Sequence, residues 1–291
     1  MHFLFYRPIH ILTLPVFLML FAGCGGKGDG KDKGKDEQKD SAKKTVKADT
    51  TKSNEKESRG TVLPNSLQVA SSFKKAGLPY KDGLILPPGS KDQMVDPNRK
   101  KLAFGAYSAD LAYLVLNQKG NKAQRTMKAL MELAKGLNLS SVFKIDKIAE
   151  RFKANIDKRD SLLQLIVEVQ KHFDTYVAKN RTRQLRTIAY AGGWTEAMYL
   201  AAHSGISEKK RLHLEVEEQM TILDKLLKAL GRDVKEPEGP LADLLKELKA
   251  MDKLYKKKAP KPGKKLPKGV MKKLKERADN ARTIISNKGS S

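Results

Sequence analysis

Residues 161–177 read SLLQLIVEVQKHFDTYV. Leu162, Ile166, Val169, Phe173 and Tyr176 recur there at alternating spacings of four and three. A strand turns successive side chains to opposite faces, so it cannot gather these five on one side. A helix of 3.6 residues per turn does so directly. This segment therefore predicts an amphipathic helix, and the same rule extends along the chain in both directions. Downstream, Leu212, Val216, Met220, Leu223, Leu227 and Leu230 repeat it, with Gly231 as the expected stop. Pro240 opens a further run with Leu241, Leu244, Leu245, Leu248 and Met251. Upstream, Asp96-Pro97 is a helix start, Asp as N-cap and Pro in the first turn. Leu102, Gly105, Ala106, Ala109, Tyr113 and Leu116 follow on one face. Met127, Leu130, Met131, Ala134 and Leu137 mark the next helix, and Val142, Ile145, Ile148, Ala149 and Phe152 a shorter one. A further helix is expected from about Arg183 to His203.

No stretch shows sustained period-two alternation, so the expected fold is all-α. It is an antiparallel multi-helix bundle or an irregular α-α array. The expected organisation is an export signal at 1–23, a charged disordered tether at 24–60, a helical domain at 61–255, and a basic linker with a terminal amphipathic helix at 256–291. Residues 77–95 are rich in Gly and Pro but hold Leu84-Ile85-Leu86, which predicts a loop packed on the body.

The chain has 291 residues, 58 basic and 33 acidic side chains, a formal net charge of +25 and one cysteine. A single cysteine excludes an internal disulfide framework and a Cys-rich zinc site within one chain. The charge calls for an anionic partner, and the position of the cysteine bears on which. Arg7 precedes an apolar run at 11–21 that is short for a membrane span. It ends in Phe21-Ala22-Gly23-Cys24. These residues resemble the lipobox of bacterial lipoproteins, with Phe21 where Leu is usual. The resemblance implies lipidation at Cys24. Gly25 stands where inner-membrane retention signals often carry Asp, so an outer-membrane lipoprotein is expected, with either face open to it.

From Gly25 to Gly60 almost no large apolar side chain occurs, and charges of both signs alternate. Such a segment buries too little surface to offset its ordering entropy. Beyond Met251 the chain holds fourteen basic and three acidic side chains. Val270, Met271, Leu274, Ala278, Ala281 and Ile285 share one face of the last helix, with Lys272, Lys273, Lys275 and Arg282 placed away from it. This charge is expected to stand apart from the main core. Three roles fit the region from Lys256 to Lys273: an amphipathic helix on an anionic membrane, a binder of anionic envelope polymer, or a helix packed on the body. Nucleic acid is not expected, because the chain is read as exported and the basic stretches hold few aromatic side chains to stack bases.

Two apolar helices hold polar residues that invite a chemical reading. The first is Ile188 to His203, with Gly192-Gly193-Trp194 at its centre. Two glycines inside a helix cost about 1 kcal/mol each relative to Ala. Close approach of another helix explains them, and so does a cleft where a ligand reaches the backbone. Glu196, Tyr199 and His203 lie near one face. The second is Phe104 to Tyr113, with Tyr107 and Asp110 among small apolar residues. A buried acid calls for a partner; Arg183, Arg186 or a tyrosine hydroxyl would serve. The candidate ligand-binding residues are therefore Tyr107, Asp110, Trp194, Glu196 and Tyr199. Asp110 and Glu196 form a carboxylate pair if the fold brings them together. No HExxH or similar metal spacing, no G-x-S-x-G, no Walker A and no G-x-G-x-x-G occurs in the body. No catalytic residue, metal or cofactor is assigned. His172 and His213 sit on charged helices and are expected at the surface.

The blocks at 104–113, 155–163 and 191–199, in that order, resemble a family of exported helical lipoproteins of the Bacteroidetes type. The resemblance spans roughly 102–230 and implies export and a helical fold, with no activity attached. The expectation is a lipid-anchored envelope protein with a non-catalytic binding or scaffold role. The alternative is a helical protein with a small-ligand or metal cleft near Gly192-Trp194-Glu196.

Overall fold

The computed structural model of the chain describes residues 63–205, 210–258 and 264–287. The expected export signal, Cys24 and the expected tether lie outside the described residues. Ten α-helices and no strand occur among the described residues: α1 (Ser66–Lys75), α2 (Pro97–Leu116), α3 (Gly120–Gly136), α4 (Ser140–Phe143), α5 (Ile145–Ala154), α6 (Arg159–Asn180), α7 (Arg183–His203), α8 (Lys210–Asp233), α9 (Gly239–Lys258) and α10 (Lys268–Ser286). A 3₁₀ turn, Pro88–Gln93, lies before α2. The fold class is all-α, as the helical spacings predict.

Local signals place several boundaries. Asp96 caps α2, its carboxylate accepting from Arg99 N at 2.8 Å, with Pro97 following. Asn65 and Gln68 close a reciprocal capping box on α1. Two boundaries differ from expectation. The single helix through Val142 and Phe152 is split at Lys144, which adopts φ 45° and ψ 55°. The left-handed residue re-aims the chain so that both Phe143 and Ile145 are buried. Phe143 then joins Phe104 and Phe173 in a cluster with ring centroids 5.6–6.3 Å apart, tying α2, α4 and α6. At the other boundary α8 runs past Gly231 to Asp233. Asp233 accepts from Thr187 Oγ1 at 2.6 Å and from Arg232 Nε at 2.7 Å, which holds the last turn against α7.

The organising contact lies between α2 and α7, which are far apart in sequence. Residues 102–107 and 109–115 of α2 are buried, as are residues 187–198 of α7. Both helices are therefore enclosed by their neighbours, which explains why each is apolar around most of its circumference. Their backbones touch. A Cβ on Gly105 would stand 1.6 Å from the Ala189 carbonyl oxygen, and one on Gly192 would stand 1.9 Å from the Leu102 carbonyl oxygen. Any side chain at either position would separate the helices. Of the two explanations for the mid-helix glycines, close helix approach is the one the geometry displays. Trp194, 1% exposed, fills the space beside the crossing.

The C-terminal helix does not stand apart from the core. It packs along α9 and α7 and buries Val270, Leu274, Ala278, Ala281 and Ile285. Complete burial of a Val, Leu or Ile side chain stabilises by about 1.5–3 kcal/mol. The divide expected at residue 255 also falls inside α9, which continues to Lys258. The stripe was legible as amphipathic; its partner surface on α7 and α9 was not.

Replacing Gly105 by Ala is expected to destabilise the protein by about 3 kcal/mol, since the methyl group meets backbone rather than a movable side chain. Gly231, exposed with open space around its Cα, should gain up to about 1 kcal/mol as Ala. Urea unfolding of both variants checks this; a Gly105→Ala protein as stable as the parent would contradict the close crossing.

Candidate functional site

The crossing of α2 and α7 decides where their polar side chains go. Tyr107, Asp110 and Tyr113 recur every three residues on α2 and face the loop at 77–95. Tyr107 donates its hydroxyl to Pro87 O at 2.7 Å. Asp110 Oδ2 accepts from Leu86 N at 2.9 Å. Tyr113 accepts from Lys81 N at 2.7 Å and donates to Pro79 O at 3.3 Å. These side chains satisfy backbone groups of a loop that has no ladder of its own. The loop in turn buries Leu78, Leu84, Leu86 and Met94. The expected packed loop is thus observed, and three polar residues of α2 hold it.

Asp110 and Glu196 are both 0% exposed, and the fold brings them together. Asp110 feels the charge of Glu196, and Glu196 is steadied by a hydrogen bond from Asp110. The cation beside them comes from α10. Arg282 Nε donates to both Glu196 oxygens at 3.0 Å, and its Nη2 donates to Leu84 O at 2.7 Å. The guanidinium carbon lies 4.1 Å from the Tyr199 ring centroid, a cation–π arrangement. The Tyr199 and His203 rings are 4.3 Å apart. His203 Nε2 is paired with Asp279 of α10, whose carboxylate also faces Lys275 at 3.4 Å.

The electrostatics follow from one cation against two buried acids. Burial, and then the charge of Glu196, raise Asp110 well above the usual carboxyl range. Burial also raises Glu196, with Arg282 opposing. Burial works against the charge on Arg282, but Glu196 and Asp110 outweigh it, and its pKa is raised. The consistent assignment has Asp110 protonated, Glu196 ionised and Arg282 charged. It also gives a role to Asp110 Oδ1, which is buried and has no donor: as a hydroxyl it can donate toward Glu196. Tyr107 is raised as well, first by burial and then by Asp110.

Three expectations need correction. Neither Arg183 nor Arg186 partners Asp110; the nearby charges felt by Asp110 are Glu196 and Arg282. Arg282 does not lie away from the apolar face, because its side chain is only 13% exposed. Its position was legible: it falls four residues after Ala278 and three before Ile285, on the buried stripe. Only its charge argued for the surface. His213, on α8, is 5% exposed rather than at the surface.

Of the proposed ligand-binding set, Tyr107, Asp110, Glu196 and Tyr199 do converge with Arg282. Trp194 lies in the same core, with its Nε1 buried and unpartnered. The space that a cleft at Gly192 would need is occupied by the Leu102 backbone. A reactant would have to displace Arg282 or the loop to reach either carboxyl. A small hollow of about 200 Å³ lies elsewhere, at the end of α8 and start of α9, lined by residues including Leu230, Val234, Pro237, Leu241 and Lys249. Among the described residues no group of three or more His, Cys, Asp or Glu side chains is placed to hold a metal ion. No family model, curated protein or solved structure matches this chain.

Asp110 in the folded state holds its proton to higher pH than in the unfolded chain, where a carboxyl titrates near ~3.9. The folded state therefore binds more protons above that value, and stability falls as pH rises toward the raised folded value. Asp110→Asn keeps the acceptor for Leu86 N and supplies a permanent donor toward Glu196. The urea midpoint of this variant should lose the part of the decline that Asp110 carries, at most about 1.4 kcal/mol per pH unit. Identical pH profiles for variant and parent would refute the protonated assignment. Arg282→Met leaves Glu196 without its cation and is expected to cost about 3–5 kcal/mol at neutral pH. Amide hydrogen exchange should show α10 losing protection first; uniform loss across α2, α7 and α10 would argue against the arginine as its specific tie.

Proposed function

We propose that this chain is a lipid-anchored protein of the cell envelope whose helical body serves a non-catalytic binding or scaffold role. The observation that carries this reading is Ala22-Gly23-Cys24 at the end of the apolar run at 11–21. Its likeness to a lipobox makes Cys24 the site of acylation and of membrane attachment. Each buried methylene of an acyl chain contributes about 0.8 kcal/mol, so several chains on one residue hold stably. The likeness of three blocks in the body to exported helical lipoproteins points the same way, to export, and Gly25 after Cys24 favours the outer membrane. Among the described residues no helix is long and apolar enough to cross a membrane.

The non-catalytic part of the reading is supported by how the polar core is occupied. Asp110 holds loop backbone, Glu196 is taken by Arg282, and Arg282 reaches on to the Leu84 carbonyl. These bonds join the loop, α2, α7 and α10 into one packed unit. The groups most able to move protons are thereby committed to holding the fold.

Expression in a bacterium with the lipoprotein pathway, fed a radiolabelled fatty acid, tests the anchor. The parent should incorporate label and fractionate with membranes. Cys24→Ser should lose the label and leave the membrane pellet. A Cys24→Ser protein that still carries label, or a parent that never does, would overturn the reading.

A further inference from the structure

Between Asp252 and Glu276 the chain carries eleven lysines and no acidic residue. The structure places the described ones at one end of a helix pair. Lys253, Lys257 and Lys258 lie at the C-terminal end of α9, and Lys264, Lys265, Lys268, Lys272 and Lys273 lead into and begin α10. All eight are exposed. Lys256 is taken by Asp224 and Asp252, and Lys275 by Asp279. The other eight have no acidic partner among the described residues.

Lys257 and Lys258 complement the negative end of the α9 dipole, but the placement of the lysines that begin α10 does not serve stability in this way. The first turn of α10 holds no acid, and Lys268 sets positive charge against the positive end of that helix's dipole. Like charges gathered at one end of a helix pair also repel one another. A helix N-terminus surrounded by unpaired lysines is a field built for an external anion.

What that anion is follows from three further features. First, the apolar stripe of α10 is spent on α7 and α9, and the large exposed apolar side chains among the described residues are Val95, Val167 and Leu214, on other elements. The end therefore has charge and no apolar wedge, which excludes insertion of α10 into a bilayer while the helix stays packed. Second, residues 253–275 contain lysine and no arginine. Ammonium groups act as point charges and suit a diffuse phosphate layer better than planar, bidentate recognition. Third, an acyl anchor at Cys24 would keep the body beside a headgroup layer at high effective concentration, where many weak contacts add.

We propose that the lysine-rich end of α9 and α10 docks peripherally, by charge alone, on an anionic phospholipid surface. This rests on the lipid-anchor reading for its setting, but its test does not. Ser58–Ser291 forms one compact unit, so protein beginning at Gly25 keeps the body and lacks both leader and acyl chains. Failure of the vesicle assay would therefore reflect on the lysines, and failure of lipid labelling on Cys24.

The assay is flotation with phosphatidylcholine vesicles, with and without phosphatidylglycerol, and with soluble heparin as competitor. The parent should partition at least about tenfold more strongly onto the anionic vesicles, and salt raised from about 0.05 to about 0.5 M should abolish the difference. A variant with Lys264, Lys265, Lys272 and Lys273 all changed to Gln should lose about tenfold or more, with circular dichroism and thermal midpoint unchanged. Equal binding to both vesicle types, or undiminished binding by the variant, would overturn the proposal. Tighter binding to heparin than to anionic vesicles at matched salt would also overturn it, in favour of a polyanionic polymer.

Discussion

The backbone contact between α2 and α7 is the constraint from which the rest of the structure follows. Gly105 and Gly192 allow two helices to approach until carbonyl oxygens occupy the space of absent methyl groups. At that separation the side chains one to two turns further along cannot diverge, and Asp110 and Glu196 enter the same dry space. Two carboxylates in low dielectric cannot both ionise without a counter-charge. The core resolves the problem with one proton and one arginine.

The arginine then couples distant parts of the chain. Arg282 lies on the last helix, meets Glu196 on the seventh, and donates to the carbonyl of Leu84 in the loop before the second. The loop is held from its other side by Tyr107, Asp110 and Tyr113. A segment with no regular hydrogen-bond ladder is thereby fixed by side chains from α2 and α10. Buried charge of this kind contributes less to net stability than its geometry suggests, because both partners were desolvated to form it. Its consequence is registry: α10 has one depth and one rotation at which Arg282 meets Glu196.

The last helix has two faces with different work. Its apolar stripe and Arg282 turn inward, while Lys272 and Lys273 remain in solvent. Eight exposed lysines lie at the end of a helix pair whose sides are integrated with the core. A rigidly mounted cluster presents its charges together, which a flexible basic tail does only transiently.

Much of this could be read from the residues alone. Spacings of three and four decided the helices, because no other regular structure gathers Leu162, Ile166 and Phe173 on one side. Asp96-Pro97 marked a helix start, and the stripe from Val270 to Ile285 marked the amphipathic last helix. Glycines inside α7 announced something unusual, yet both a cleft and a close crossing satisfy the same residues, and only the position of Leu102 separates them. Periodicity likewise placed Arg282 on the buried stripe while its charge argued for the surface. What overrode the charge was Glu196, 86 positions away, and nothing local to either residue states that pairing. The sequence by itself determined which faces were apolar and where the helices began, because these depend on neighbours three and four residues apart. The tertiary structure alone decided which acid met which base, because burial and the nearest counter-charge are set by helices that touch only after the chain has folded.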